Sequence, residues 1–475
     1  MTPEEFRRAG HELIDWIADY RERVARAEFP VMARTAPGAL REALPKSPPQ
    51  AGEPFEAIRR DLDELILPAC AHWQDPRFFG YFPSNGLPVA VLGDLVSTGL
   101  GQLGLNWQAS PALPELEEVS LDWWRQMLGL SERWSGVIQD TASTATFVAL
   151  VCARERASNH GAARGGLQAL DRPLMVYVSS QAHSSVEKAA LLAGFGRENL
   201  RVIPVDAQFD MRPDALASAI LEDRAAGREP CAIVATCGST ATTAFDPLTD
   251  IARVARAEEV WLHVDAAMAG SAMILPECRG LWDGVESADS LVVNPHKWLG
   301  VSFDCSTYFV RNPEFLVRVM STNPSYLKTS ADGQVKNYRD WGIPLGRRMR
   351  ALKLWFVIRE QGVARLQERL RRDLANARWL ADEVARAPRW KLLAPVRLQT
   401  LVLRHEPPGL GGDALDEHTQ RWAKAINESG EGYLTPAIID GHWAVRVSLG
   451  ATATERQHVI DLWRLMRAKA EEGGK

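Results

Sequence analysis

The stretch Ser290-Leu-Val-Val293, running directly into Asn294-Pro295-His296-Lys297-Trp298, decides how this chain is read. A short β-prone run here delivers a lysine to its far end. An amine at the mouth of a buried strand is where a protein desolvates it, lowers its pKa and uses it to hold an aldehyde as a Schiff base. Alone, such a lysine is also an ordinary surface residue in a loop. Its company gives it meaning.

Around it lies the texture of a parallel α/β sheet. Short β-rich runs at Leu174 to Val178, Leu200 to Val205, Ala232 to Thr236, Val260 to Val264, Ser290 to Val293 and Thr307 to Val310 alternate with helical patterns such as Ser185 to Ala193. Buried parallel strands deliver their chemistry at their carboxyl ends, and the chemically interesting residues follow such runs. Towards the N-terminus, Thr2-x-x-Glu5 with Pro3 reads as a capping box opening a helix with Phe6, Leu13, Ile14 and Ile17 on one face. A Pro-rich stretch from Pro37 to Pro54 leads to a second helix near Phe55 to Ile66. That apolar helical arm needs something to pack on, and a partner subunit would serve.

From about residue 355 the pattern changes to amphipathic helices, a strand at Thr400 to Leu403 and a hairpin turning at Asp440-Gly441. Thr454-x-x-Gln457 predicts the cap of a last helix carrying Val459, Leu462, Trp463 and Met466 on one face. The expected organisation is an N-terminal helical arm over 1–86, a large α/β domain over 87–354 and a small α+β domain over 355–475.

Composition excludes several classes. With 475 residues, 46% hydrophobic and 24% charged, the chain has the make-up of a soluble globular protein of two or three domains. A net charge of −5 without a basic block argues against nucleic acid as partner. The six cysteines form no C-x-x-C pair, so they suit a reducing cytosol and offer no zinc pattern; no metal is expected. The start lacks the basic and apolar regions of a signal peptide, and the uncharged run Leu95 to Pro114 is too rich in Gly, Gln, Asn and Pro to span a membrane. A cytoplasmic protein without membrane attachment is expected.

Three further features gather with Lys297 around one hypothetical cofactor. Asp265, in His263-Val264-Asp265-Ala266-Ala267, ends a β-prone run; a carboxylate there would keep a pyridine nitrogen protonated, or would simply cap a helix. Asp140-Thr141-Ala142-Ser143-Thr144 precedes the helical run Ala145 to Arg156, and a helix start with free N–H groups favours an anion such as phosphate. Plain capping accounts for those residues equally well. His183 follows the run ending at Val178, where a flat imidazole stacks on an aromatic ring or merely forms structural hydrogen bonds. Gly99-Leu-Gly101-Gln-Leu-Gly104 satisfies G-x-G-x-x-G but follows a helical spacing rather than a strand, so it is a turn and not a dinucleotide site.

Together these segments resemble the pyridoxal-phosphate (PLP)-dependent group II decarboxylases, specifically the aromatic L-amino acid decarboxylases. The resemblance runs almost end to end. It is carried by His72-Trp73, Tyr81-Phe82-Pro83, Trp107-x-Ala109-Ser110-Pro111, Gly136 to Gln139, Gln181 to Glu187, Trp261 to Ser271, Asn294 to Leu299, Phe303 to Ser306 and Ile343 to Arg348. It implies an α/β PLP-dependent transferase fold, aspartate aminotransferase-like (fold type I), and a homodimer with sites at the subunit interface. By position, Lys297 would bind the PLP aldehyde, Asp265 pair with the pyridine nitrogen and His183 stack on the ring. Thr141, Ala142, Ser143 and Asn294 would surround the phosphate, with Thr240, Ala267 and His296 close by. Trp73, Tyr81, Phe82 and Ser84 match the substrate segment, while Leu103, Leu105 and Leu345-Gly346 would come from the neighbouring subunit.

Tyr326 lies in Asn323 to Asn337, whose composition is that of a mobile loop. In the family a tyrosine in Tyr-Leu-Lys returns a proton to Cα, and relatives with phenylalanine there react with oxygen and make aldehydes. As an alternative, Tyr326 only pins the loop. The resemblance implies decarboxylation of an aromatic L-amino acid to an arylalkylamine and CO2. Aromatic residues without an obvious added cation count against acidic substrates. Gly346 falls where plant relatives carry glycine for indolic substrates and serine for phenolic ones, yet the choice among aromatic amino acids stays open. The alternatives are an aromatic aldehyde synthase, another group II decarboxylase and a non-catalytic PLP-fold binding protein.

Overall fold

The computed structural model describes residues 1–322, 327 and 329–472. Seven strands form its main sheet: β1 (Ser135–Gln139), β2 (Leu174–Ser179), β3 (Leu200–Ile203), β4 (Glu229–Thr236), β5 (Trp261–Asp265), β6 (Ser290–Val293) and β7 (Ser306–Val310). Their spatial order is β1-β7-β6-β5-β4-β2-β3. The five strands β3, β2, β4, β5 and β6 are parallel; β2, β4, β5 and β6 are almost wholly buried, while β3 at the sheet edge leaves Val202 exposed.

The sheet is not wholly parallel, as the β-rich runs alone suggest. β7 pairs antiparallel with β6, Ser290 opposite Val310 and Val293 opposite Thr307. The connection through residues 294–305 holds no long crossover helix, so the chain returns beside the strand it has just left. β1 then pairs antiparallel with β7, which restores the direction of the other five. The carboxyl ends of β1, β2, β4, β5 and β6 therefore open on one edge.

A smaller sheet follows, with β8 (Trp390–Leu392), β9 (Thr400–His405), β10 (Thr435–Ile439) and β11 (His442–Ser448) in the order β10-β11-β9-β8. Asp440 and Gly441 both take positive φ, 49° and 83°, as a two-residue hairpin turn requires. The chain divides into two compact units: Met1–Pro83 with Arg378–Leu393 and Leu403–Lys475, and Ser84–Ala377 with Ala394–Val402.

The Thr2/Glu5 capping box forms as expected and opens the Pro3–Ala25 helix. The expected box at Thr454 does not. Thr454 Oγ1 donates 2.7 Å to the Pro76 carbonyl, Gln457 turns to Asp461, and the helix begins at Arg456. A buried carbonyl needed a donor more than the exposed helix start did. Of the glycine-rich stretch expected to be a turn, Gly99 and Leu100 complete the Pro88–Leu100 helix and Gly101 closes it at φ 59°, so the turn begins only there.

Candidate active site

Each strand end on that edge presents one piece of chemistry. β5 ends at Asp265, which is buried, and whose Oδ1 accepts the Ala267 N–H at 3.0 Å. Its backbone carbonyl takes the Cys237 N–H at 2.8 Å, tying the end of β5 to the loop after β4. In that loop Gly238 sits at φ 86°, and a Cβ there would lie 2.3 Å from the Ala269 Cβ, so only glycine fits. Beyond it Ser239 and Thr242 hydroxyls meet at 2.9 Å, and Thr242 Oγ1 donates to Gln181 Oε1 at 3.3 Å, with half-buried Thr240 between them.

β6 hands over to Asn294 and the turn that carries Lys297. Asn294 is buried; its Oδ1 accepts from Ser306 Oγ at 2.6 Å and its carbonyl from the Lys297 N–H at 3.0 Å. Lys297 is half-buried, with φ −94° and ψ −108° that interrupt the helical geometry of its neighbours. His296 is buried, and its Nδ1 accepts the Cys305 N–H at 2.9 Å. Desolvation first, then the cations Lys297 and Lys353, push its imidazole down to about 3.

His183 stands exposed as the N-cap of the Ser184–Leu192 helix beyond β2. Its Nδ1 accepts the Ser185 N–H at 3.1 Å and lies 2.7 Å from Ser185 Oγ, which leaves the ring proton on Nε2. Desolvation holds the imidazole below its usual range; the Asp265 carboxylate opposes this and the Lys297 ammonium adds to it. Both charged groups are thus near enough to act electrostatically on the His183 ring.

β1 leads to the start of the Ala142–Ala157 helix. Its N-cap Thr141 is extended and makes no side-chain cap; Thr141 and Ala142 are half-buried and Ser143 is exposed. Further along, Thr146 Oγ1 lies 3.4 Å from His263 Nε2, and His263 Nδ1 lies 2.9 Å from Ser290 Oγ. His263 is neutral, lowered to about 4 by burial, and links this helix to β5 and β6.

Ser84, Leu103, Leu105 and Gly346 belong to the same unit as Lys297. Ser84 Oγ donates to the His296 carbonyl at 3.1 Å. Leu103 is brought against Gly346, where a Cβ would lie 3.2 Å from Leu103 Cδ1, and Arg339 reaches the Leu105 carbonyl at 3.1 Å. Trp73, Tyr81 and Phe82 belong to the other unit, where Trp73 and Tyr81 rings stack at 5.5 Å. There the expectation of aromatic residues without a cation needs amending. Arg446 is buried, its guanidinium stands 4.9 Å from the Phe82 ring centroid, and its Nε has no hydrogen-bond partner. Tyr326 lies outside the described residues. Among those described, no cluster of three or more His, Cys, Asp or Glu is placed to hold a metal, and no helix is long and apolar enough to cross a membrane.

An amine, a buried carboxylate, an imidazole and an uncapped helix start on one sheet edge fit an aldehyde, a pyridine nitrogen, a flat ring and a phosphate. The fold and these groups define a PLP-dependent enzyme of the α/β, aspartate aminotransferase-like class. Comparison with known proteins narrows the class. A family model described as the pyridoxal-dependent decarboxylase conserved domain matches residues 37–405. Tyrosine decarboxylase 4 of Petroselinum crispum is 39% identical over 99% of this chain and 94% of its own length. Phenylacetaldehyde synthase of a Rosa hybrid cultivar is also 39% identical, over 99% of this chain and 95% of its own length. The crystal structure of Oryza sativa TDC with PLP and tryptamine superposes with a TM-score of 0.96 at 36% identity, covering 99% of both chains. The chain belongs to the pyridoxal-dependent decarboxylase family, and its cofactor is PLP.

Proposed function

We propose that this protein removes CO2 from an aromatic L-amino acid, releasing the arylalkylamine, with PLP held on Lys297. The observation that carries the reading is the electrostatic trio of Lys297, Asp265 and His183 beside the uncapped Thr141–Ser143 helix start. Relatives that act on tyrosine, at 39% identity across the chain, supply the aromatic substrate class.

When bound, PLP supplies an electron sink for the breaking bond. The protein's part is orientation and proton control. Asp265 is placed to hold the ring nitrogen protonated, its carboxylate fixed by the Ala267 N–H. Neutral His183 offers a flat face and an Nε2–H. Thr141, Ala142, Ser143 and Asn294 are the phosphate candidates, with Thr240, Ala267, His296 and a partner's Gly346 close by. Trp73, Tyr81, Phe82, Ser84, Leu103 and Leu105 are the candidates for contact with the aryl side chain. Tyr326 is the donor that returns a proton to Cα.

We also infer a homodimer in the cytoplasm, organised as the arm, large domain and small domain described from sequence. Supporting the dimer, Leu92, Leu95, Val96, Leu100, Leu103, Ile343 and Leu345 are all exposed within one unit, and exposed apolar surface is what subunit contacts bury. The second reading is an aldehyde synthase, favoured by the Rosa relative. The deciding experiment incubates the protein with DOPA, tyrosine, tryptophan, 5-hydroxytryptophan and phenylalanine and measures amine, CO2 and peroxide. Amine and CO2 in equal amounts without peroxide are expected; stoichiometric peroxide would move the assignment to the synthase. Lys297→Ala is expected to abolish both turnover and the visible absorption of the lysine-bound cofactor. Full activity in that variant would remove Lys297 from its role.

A further inference from the structure

Beneath the Lys297 turn lies a buried cation that no step above uses. Lys353, on the Ala351–Arg386 helix, is 1% exposed, a state lysines adopt almost only when paired. Its Nζ stands 3.1 Å from Asp94 Oδ2 on the Pro88–Leu100 helix. The two helices touch backbone to backbone at this point, since a Cβ on Gly93 would come 2.6 Å from the Lys353 Cα. Asp94 Oδ2 also accepts from Ser302 Oγ at 2.7 Å.

Ser302 closes the turn that Asn294 opens. Between them the Gly300 carbonyl accepts the Leu87 N–H at 2.8 Å, and the His296 carbonyl accepts from Ser84 Oγ. The His296 ring accepts the Cys305 N–H at Nδ1, a bond that exists only while Nδ1 is unprotonated. The charges acting on His296 are Lys297 and Lys353. Around the pair stand Arg348, 3.8 Å from Asp94 Oδ1, and the Arg350–Asp304 pair at 3.1 Å; Lys353, Asp304, Glu117 and Arg350 all act on Cys305. Filling this space with an apolar side chain would avoid the desolvation that a buried ammonium carries, so a purely packing role leaves the charge unexplained.

We propose that Lys353, clamped by Asp94, is a positioning residue for the Lys297 turn. The ion pair holds Asp94 Oδ2 on Ser302 and so fixes the end of the turn, within which the His296 ring, neutral chiefly because it is buried, keeps Nδ1 accepting from Cys305. The inference rests on Lys297 being the amine that holds PLP.

The test uses the PLP-loaded enzyme and compares wild type with Lys353→Arg, Lys353→Met and Lys353→Met/Asp94→Asn. The double variant leaves no unpaired carboxylate and serves if the single one does not fold. Three quantities are read: the PLP dissociation constant, the visible absorption of the bound cofactor from pH 5 to 9, and the melting temperature. In Lys353→Met and in the double variant PLP binding is expected to weaken at least about tenfold. A new protonation step is expected in the absorption between about pH 5 and 7, where a released histidine titrates. Lys353→Arg restores wild-type behaviour on both counts. A folded Lys353→Met or double variant with wild-type affinity and an unchanged titration would overturn the proposal. So would failure of both to fold, which would mark the pair as structural. Were Lys297 the wrong amine, the wild-type absorption would survive Lys297→Ala, a result independent of position 353.

Discussion

His183 shows how much of the chemistry rests on where one proton sits. Its Nδ1 is committed to Ser185, so under the proposed function the imidazole would meet a ring or a substrate as a neutral group with one donor. Tyr326 completes the proton inventory under the proposed function. Tyr326→Phe is expected to cut amine yield at least about tenfold and to raise oxygen-dependent aldehyde and peroxide, since the phenolic proton is lost while the fold is untouched. Unchanged amine yield would take Tyr326 out of the donor role. At this scale the sequence was informative for Lys297, Asp265 and His183, because each follows a β-prone run. It was silent on Lys353, Asp94 and Arg446. A buried lysine within Ala351-Leu-Lys-Leu-Trp355 has the same one-dimensional surroundings as an exposed one, and only packing tells them apart.

Among the elements, the parallel strands were legible because burial on both faces writes an apolar run into the chain. β1 was not recognised as a strand. Ser135-Gly-Val-Ile-Gln139 has two large apolar residues, and its place at the sheet edge asks for no more. The antiparallel return of β7 also escaped, because strand direction depends on the connection rather than on the strand's own residues. The loops between strand and site are as tightly specified as the strands. Gly238→Ala would force a left-handed backbone and a clash with Ala269 together, and is expected to lower stability by about 2 kcal/mol or more in urea unfolding. Because that loop leads to Thr240, PLP affinity should fall as well. A variant as stable as the parent would show that the loop relaxes freely.

For the molecule as a whole, composition placed it among globular chains without nucleic-acid character, and the buried histidines now add a dependence on pH. His263 is lowered to about 4, His296 to about 3 and His405 to about 4, in each case by desolvation first. All three are neutral when folded, while the unfolded chain takes up their protons near pH 6.5. Stability is therefore greatest above about 6.5 and falls as pH drops towards 4, because the unfolded state binds the extra protons. Asp246 runs the other way: burial raises it to about 7, so the folded chain keeps one proton there that the unfolded chain loses above its ordinary range. The net uptake on unfolding at pH 5 is expected to be about two protons, measurable as the slope of unfolding free energy against pH. A flat profile between pH 4.5 and 6.5 would contradict the neutral histidines.

The pairing of β1 with β7 has a consequence in time. Ser135 must find Val310, and among the described residues β7 is the only strand that pairs with β1. During synthesis the segment that precedes Thr141 waits, unmated, until the whole run through β7 has left the ribosome. Of the strands that frame the active edge, the one made first is the one whose pairing partner is made last.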